Sequence, residues 1–86
     1  MLNLLKDGPL WRSFGITIEK GQGYEWFIFD KEKGISLADN IAVVSHVGDS
    51  YVQICGQVNG KDYNAKAPLS EKHEAVDAFL FAYFFS

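Results

Sequence analysis

Residues 41–67 constrain the fold more than any other part of the chain, because two pairs of turn residues divide them into three short segments. Gly48-Asp49 suits a two-residue type II′ turn, in which the first central residue needs a positive φ. Asn59-Gly60 is the favoured pair for a type I′ turn. The segments between these turns alternate apolar and polar residues, as half-buried strands do. The stretch therefore predicts a three-stranded antiparallel meander.

The two turns also predict which residues face each other. A two-residue connection at Gly48-Asp49 sets Val43 opposite Ile54 and His46 opposite Tyr51, and the Asn59-Gly60 turn sets Ile54 opposite Ala65. Side chains alternate between the two faces of a sheet. The predicted apolar face carries Ile41, Val43, Val47, Val52, Ile54, Val58, Tyr63, Ala65 and Ala67. The predicted polar face carries Ala42, Val44, His46, Tyr51, Gln53, Cys55, Gln57, Asp62, Asn64 and Lys66.

A further hairpin is predicted over residues 13–29, where β-branched and aromatic residues flank the loop at residues 20–23. Pairing Glu19 with Tyr24 places one set of apolar residues on a common face, namely Phe14, Ile16, Ile18, Phe27 and Phe29. The opposite face then carries Thr17, Tyr24, Trp26 and Ile28. This second set would extend the polar face of the meander.

Residues 70–85 predict a C-terminal helix with Ser70 as its N-cap. Its apolar stripe, which would cover the apolar face of the sheet, is formed by Val76, Phe79, Leu80 and Tyr83. Asp77, Phe81 and Phe85 would point elsewhere. We therefore expect an α+β fold: an antiparallel β-meander of four to five strands with a C-terminal helix packed on one face, in a single domain over residues 1–86.

Composition and charge narrow the function classes. The 86 residues are 48% hydrophobic and 22% charged, which is typical of a globular domain. The formal net charge of −3 argues against nucleic acid as the partner. The single cysteine, Cys55, allows no intrachain disulfide. Met1–Leu5 is too short for a secretion signal and residues 75–85 are too short to cross a bilayer, so we expect a cytoplasmic location and no membrane partner.

No catalytic or metal-binding arrangement emerges from the sequence. His46 and Cys55 would share the polar face, but about four residues along the strand separate them by roughly 13 Å, beyond the reach of a nucleophile–base pair. His46, Cys55 and His73 lack the short spacings of metal ligands. Gly21-Gln-Gly23 lacks the Gly-Lys-Ser/Thr ending of a phosphate-binding loop. We expect a protein that is not an enzyme and has no cofactor and no metal.

The predicted polar face is more aromatic than a solvated surface requires, and this predicts a protein-binding site. Its centre would be formed by Tyr24, Trp26, His46 and Tyr51, and its acidic rim by Glu19, Asp30, Glu32 and Asp49. Tyrosine and tryptophan are favoured at recognition surfaces, and acidic groups attract a basic partner such as an enzyme or nuclease. Alternatively, the N-terminal arm covers this face as a second small core, with Leu2, Leu5, Leu10 and Trp11.

In size, acidity and lack of a catalytic set, the chain is similar to small stoichiometric inhibitors. That heterogeneous group includes bacterial immunity proteins, antitoxins and phage anti-defence proteins, and the resemblance is one of kind rather than of motif. The alternative is a homo-oligomeric structural or accessory protein, a homodimer for example, in contact through Phe81 and Phe85 or through an edge strand. Binding of single-stranded nucleic acid ranks lower, because the sheet lacks basic rows.

Overall fold

Five antiparallel strands form one sheet in a computed structural model that describes residues 9–85, apart from the side chains of Pro9, Leu10 and Leu37. The strands lie in the same order in space as in sequence, as β1 (Ile16–Lys20), β2 (Trp26–Asp30), β3 (Ala42–Val47), β4 (Tyr51–Val58) and β5 (Lys61–Pro68). A short helix, α1 (Pro9–Ser13), precedes the sheet, and a longer helix, α2 (Lys72–Phe85), follows it and packs on β4 and β5. The predicted α+β architecture is confirmed.

Two short 3-10 helices, Leu37–Asp39 and Leu69–Glu71, complete the secondary structure of the described residues. The second one leads directly into α2, so the prediction of Ser70 as an N-cap is wrong: Ser70 lies inside the 3-10 turn. The amide of Leu69 donates a hydrogen bond of 2.8 Å to the carbonyl of Ser50, which ties this turn to the start of β4. Within residues 9–85, no helix is long and apolar enough to span a membrane.

The β4–β5 hairpin has the predicted register. Asn59 and Gly60 adopt φ values of 54° and 78°, and Ile54 faces Ala65. The left-handed backbone that a type I′ turn requires is accessible to asparagine and glycine at little cost. Turn chemistry alone therefore determines this part of the sheet.

The predicted β3–β4 register is wrong by one residue. Three residues, 48–50, connect the strands instead of two, so that Val43 faces Cys55 and Val47 faces Tyr51. A one-residue change in register moves every side chain of a strand to the other face. Ala42 and Val44 therefore face α2 and are buried, while Val43 and Val47 lie on the opposite side.

The predicted β1–β2 register is also wrong. Glu19 faces Phe27 and Lys20 faces Trp26, because the connection spans residues 21–25. The face of the sheet that packs against α2, here called the helix face, thus includes Trp26 and Ile28 from β2. The other side, here called the outer face, carries Thr17, Glu19, Phe27, Phe29, Val43, Ser45, Val47, Tyr51, Gln53, Cys55, Gln57, Asp62, Asn64, Lys66 and Pro68.

The core lies between the helix face and α2. Its buried residues are Trp11, Ile16, Ile28, Ala42, Val44, Val52, Ile54, Val76, Phe79 and Leu80. The predicted burial of Val76, Phe79 and Leu80 in α2 is confirmed, and Tyr83 is partly buried beside them. Burying each large apolar side chain contributes about 1.5–3 kcal/mol, so this stripe is a main source of stability for the sheet.

Asp77 joins the two α-helices. The sequence pattern placed its side chain away from the sheet, yet Asp77 is fully buried and accepts a 2.9 Å hydrogen bond from Nε1 of Trp11. The indole also stacks on Phe84 with ring centroids 5.9 Å apart. Trp11 therefore belongs to the main core on the helix side, because a buried carboxylate needs a donor and the indole N–H supplies one.

Gly56 lies against Phe79 of α2, and we expect Gly56→Ala to destabilise the fold. A Cβ at position 56 would lie 2.6 Å from the carbonyl oxygen of Ile41 and 3.1 Å from the ring of Phe79. Such overpacking should lower the free energy of unfolding by about 1–3 kcal/mol, measured by urea denaturation. Gln57→Ala, at the exposed neighbouring position, is the control and should change stability by less than about 0.5 kcal/mol. Equal stability of the two variants would contradict this prediction.

Candidate protein-binding surface

Tyr24 and Tyr51 lie at the same end of the outer face. The β1–β2 loop and the β3–β4 turn both lie at that end, since alternate connections of a meander share one end of the sheet. Tyr24 belongs to that loop, Tyr51 begins β4, and Val47 of β3 pairs with Tyr51. Both tyrosine residues are 45% exposed. We call the surface formed by Tyr24, Val47 and Tyr51 the tyrosine end.

Neighbouring side chains hold both rings in place. The Tyr24 ring lies 5.3 Å from the ring of Phe27, measured between centroids, and Phe27 points to the outer face. The Nζ atom of Lys66 lies 4.7 Å from the centroid of Tyr51, in a cation–π contact across the β4–β5 pair. Rings that are positioned in advance lose little conformational entropy when a partner covers them.

The predicted acidic rim is divided. Glu19 is exposed on the outer face and Asp49 is exposed in the β3–β4 turn, next to the tyrosine end. Glu32 is exposed in the β2–β3 loop, at the other end of the sheet. The prediction of Asp30 as a rim residue is wrong: it is buried and accepts a 3.0 Å hydrogen bond from the hydroxyl of Tyr83.

Trp26 and His46 lie on the helix face, so the prediction that they share a surface with Tyr51 is wrong. Trp26 is half-buried at the start of α2, where Nζ of Lys72 lies 4.9 Å from its ring centroid. The ring of His73 contacts Trp26 edge-on at 5.0 Å. His73 is therefore packed on this tryptophan rather than solvated, because the first turn of α2 lies against β2.

Glu25 contacts His46 of β3 and forms an ion pair with Lys72 in the first turn of α2. One carboxylate oxygen lies 3.0 Å from Nε2 of His46, and the other accepts a 2.9 Å hydrogen bond from Nζ of Lys72. The bond from Lys72 is the largest of the effects that lower the pKa of Glu25; burial opposes it, and the charges of Lys72, His46 and Lys20 reinforce it. Sequence reasoning missed this cluster, because no local pattern links three residues so far apart.

Cys55 and His46 lie on opposite faces of the sheet. They therefore cannot act together as nucleophile and base, which requires contact between the two side chains. Within the described residues, no group of three histidine, cysteine or carboxylate side chains is placed to hold a metal ion.

An open cavity of about 460 Å³ lies at the end of the sheet opposite the tyrosine end. Its lining combines a lysine, two aspartates and neutral residues, namely Lys33, Ala38, Asp39, Asn40, Ile41, Gly56, Gln57 and Asp62. A hydrogen bond with Tyr83 raises the pKa of Lys33. The Nζ atom of Lys33 lies 5.2 Å from the ring centroid of Tyr83, which belongs to α2. None of the predicted binding residues lines the cavity.

Phe81 and Phe85, the predicted oligomer contact, form a second exposed aromatic patch. They are 40% and 62% exposed, and the Phe81 ring lies 5.1 Å from that of Trp11. Contact with α1 thus accounts for part of their surface. Two residues of the proposed covering arm, Leu2 and Leu5, lie outside the described residues, as does the side chain of Leu10.

Comparisons of the chain with protein family models, curated proteins and solved structures find no match. Function is therefore inferred from the geometry and charge of the surface itself.

We expect Trp26→Ala to lower stability, because the tryptophan packs on the core edge beneath Lys72 and His73. For this half-buried ring the loss in free energy of unfolding should be about 2 kcal/mol, less than for a fully buried tryptophan. Urea denaturation measures it. Tyr24→Ala, which removes an exposed ring on the other face, is the control and should cost less than about 0.5 kcal/mol. Unchanged stability of the Trp26→Ala variant would contradict this prediction and would show that the ring does not contribute to the core.

We expect Glu25→Gln to reduce the acid sensitivity of the fold. The pKa of Glu25 is lower in the folded chain than its usual 4.5, so the carboxylate stabilises the fold above that pH. This contribution is lost as the pH falls through the lower, folded pKa. The stability difference between wild type and variant should therefore shrink on acidification, as measured by urea denaturation at several pH values. Glu19→Gln, at an exposed position, is the control. If the difference in stability between wild type and Glu25→Gln did not change with pH, the prediction would be contradicted.

Proposed function

We propose that this protein acts by binding another protein at the tyrosine end of its outer face, and that its role is not enzymatic. The observation that carries the proposal is the pair of half-exposed tyrosines on the side opposite α2: Tyr51 on the outer face, and Tyr24 in contact with the outer-face residue Phe27. Tyrosine combines a large apolar ring with a polar hydroxyl and is enriched where proteins meet. Val47, which pairs with Tyr51, adds apolar area beside that ring.

The charges around the tyrosine end favour a partner with a basic surface. Glu19 and Asp49 are exposed there, and the whole chain carries a net charge of −3. Complementary charge raises the rate of encounter and orients two proteins before their apolar centres meet. A basic enzyme or nuclease, blocked in a one-to-one complex, is the partner we propose, as in the class of small inhibitors, immunity proteins, antitoxins and anti-defence proteins.

Single-stranded nucleic acid is a weaker candidate for the same surface. A nucleic-acid platform needs lysine or arginine along the path of the phosphates. Among the strand residues of the outer face, Lys66 is the basic one, and the same face carries the carboxylates of Glu19 on β1 and Asp62 on β5. This balance of charge favours a protein partner.

The proposal is tested by exchanging single side chains at the tyrosine end. Proteins that bind the immobilised wild-type chain should be identified by mass spectrometry. The affinity of the main partner should then be measured for wild type, Tyr24→Ala and Tyr51→Ala. If these rings are central to the contact, each substitution should weaken binding by about 30-fold or more. Ile35→Ala is the matched control, because Ile35 is 68% exposed in the β2–β3 loop at the other end of the sheet.

Two results would contradict the proposal. One is a partner that binds both tyrosine variants as tightly as wild type; the other is a partner lost only when Phe81 and Phe85 are replaced. The acidic rim is tested separately by Asp49→Asn, which should slow association at low salt and have little effect at high salt.

A further inference from the structure

Strand β5 forms one edge of the sheet. It spans the eight residues Lys61–Pro68, and β4 is its neighbour on one side. Within residues 9–85, no strand pairs with its other side. An edge strand presents backbone N–H and C=O groups that can pair with a strand of another chain. The structure therefore offers a second interaction surface, which adjoins the tyrosine end at Lys66.

The two-residue turn determines which backbone groups of β5 face outward. Val58 and Lys61 flank Asn59-Gly60 and face each other; residues in that position exchange both of their hydrogen bonds. Pairs of this kind recur at every second residue, so the odd-numbered residues of β5 bond to β4. The outward-facing groups therefore belong to Asp62, Asn64 and Lys66, all of which are exposed.

The charges of Asp62 and Lys66 become complementary when a second copy of the strand is related to the first by a two-fold axis. Asp62 and Lys66 stand at equal distances from Asn64 along the strand, one on each side. If a second copy of β5 lies antiparallel with Asn64 opposite Asn64, each Asp62 faces a Lys66 of the other copy. Both ion pairs lie on the outer face, where opposite charges directly across an antiparallel pair are stabilising. The same register brings residues 61–67 of both strands into full overlap.

We propose that the protein forms a homodimer in which β5 pairs with β5 of a second copy in this register. Pro68 ends the paired segment, since it has no N–H to donate and proline is tolerated at a sheet edge with its nitrogen facing outward. Charged residues on an edge strand commonly prevent such pairing. Here the two charges have opposite sign and are placed symmetrically, so that a two-fold contact converts them into two attractive pairs.

Charge reversal tests the register directly. Sedimentation velocity at several protein concentrations should show a monomer–dimer equilibrium for wild type. Asp62→Lys places two pairs of like charges across the interface, and Lys66→Asp does the same with the opposite sign. Each single variant should raise the dissociation constant of the dimer about tenfold or more, because two attractive pairs become repulsive. The double variant Asp62→Lys with Lys66→Asp restores opposite charges and should dimerise like wild type.

If the double variant dimerises again, the weak dimers of the single variants are not caused by unfolding. Two substitutions that each destabilised the fold would destabilise it further when combined. Asn64→Pro gives a second readout, because it removes an outward N–H at the centre of the pairing and should abolish the dimer. The proposal is overturned by a wild type that remains monomeric at all concentrations. A dimer that both single variants retain, or that the double variant fails to restore, overturns it as well.

Discussion

The burial of one apolar stripe of α2 on one face of the sheet is the interaction on which the remaining structure depends. Hairpins hold neighbouring strands together locally, but a sheet needs a covered face to be stable in water. Phe79 meets the sheet at Gly56, where the absence of a side chain allows this close approach. Trp11 completes the cover by donating its indole N–H to the buried Asp77. By selecting the buried face, the helix also selects which side chains remain available to partners.

A single residue in the β3–β4 turn changes the composition of both faces. The chain before this turn begins with four consecutive apolar residues, 41–44, so alternation could not show which of them are buried. Gly48 with its positive φ is compatible with a connection of two or three residues. The three-residue connection buries Val44 and turns His46 toward Glu25 and the start of α2. The aromatic surface expected from sequence is divided for this reason, with Trp26 on one face and Tyr51 on the other.

The outer face and the β5 edge suggest two contacts that depend on different kinds of interaction. At the tyrosine end, apolar rings with acidic neighbours suit a shaped and basic protein surface. Along β5, backbone hydrogen bonds and two symmetric ion pairs suit an identical strand. Lys66 stands between them, since its side chain lies over Tyr51 while its backbone faces the edge. Dimerisation and partner binding are therefore expected to influence each other through this residue.

The features that could be predicted from the sequence follow from local chemistry. The Asn59-Gly60 turn established the β4–β5 register, because only residues tolerant of a left-handed backbone fit it, and the spacing of Val76, Phe79 and Leu80 established the buried face of α2. Tertiary structure was needed to establish the facing of β2 and β3, whereas Ile16 and Ile18 of β1 lie on the helix face, as the sequence predicted. Tertiary structure likewise decided the burial of Asp77 and the meeting of Glu25 with His46 and Lys72. These features depend on loop lengths and on contacts between residues that are far apart in the chain. Neither can be predicted from a local pattern of residues.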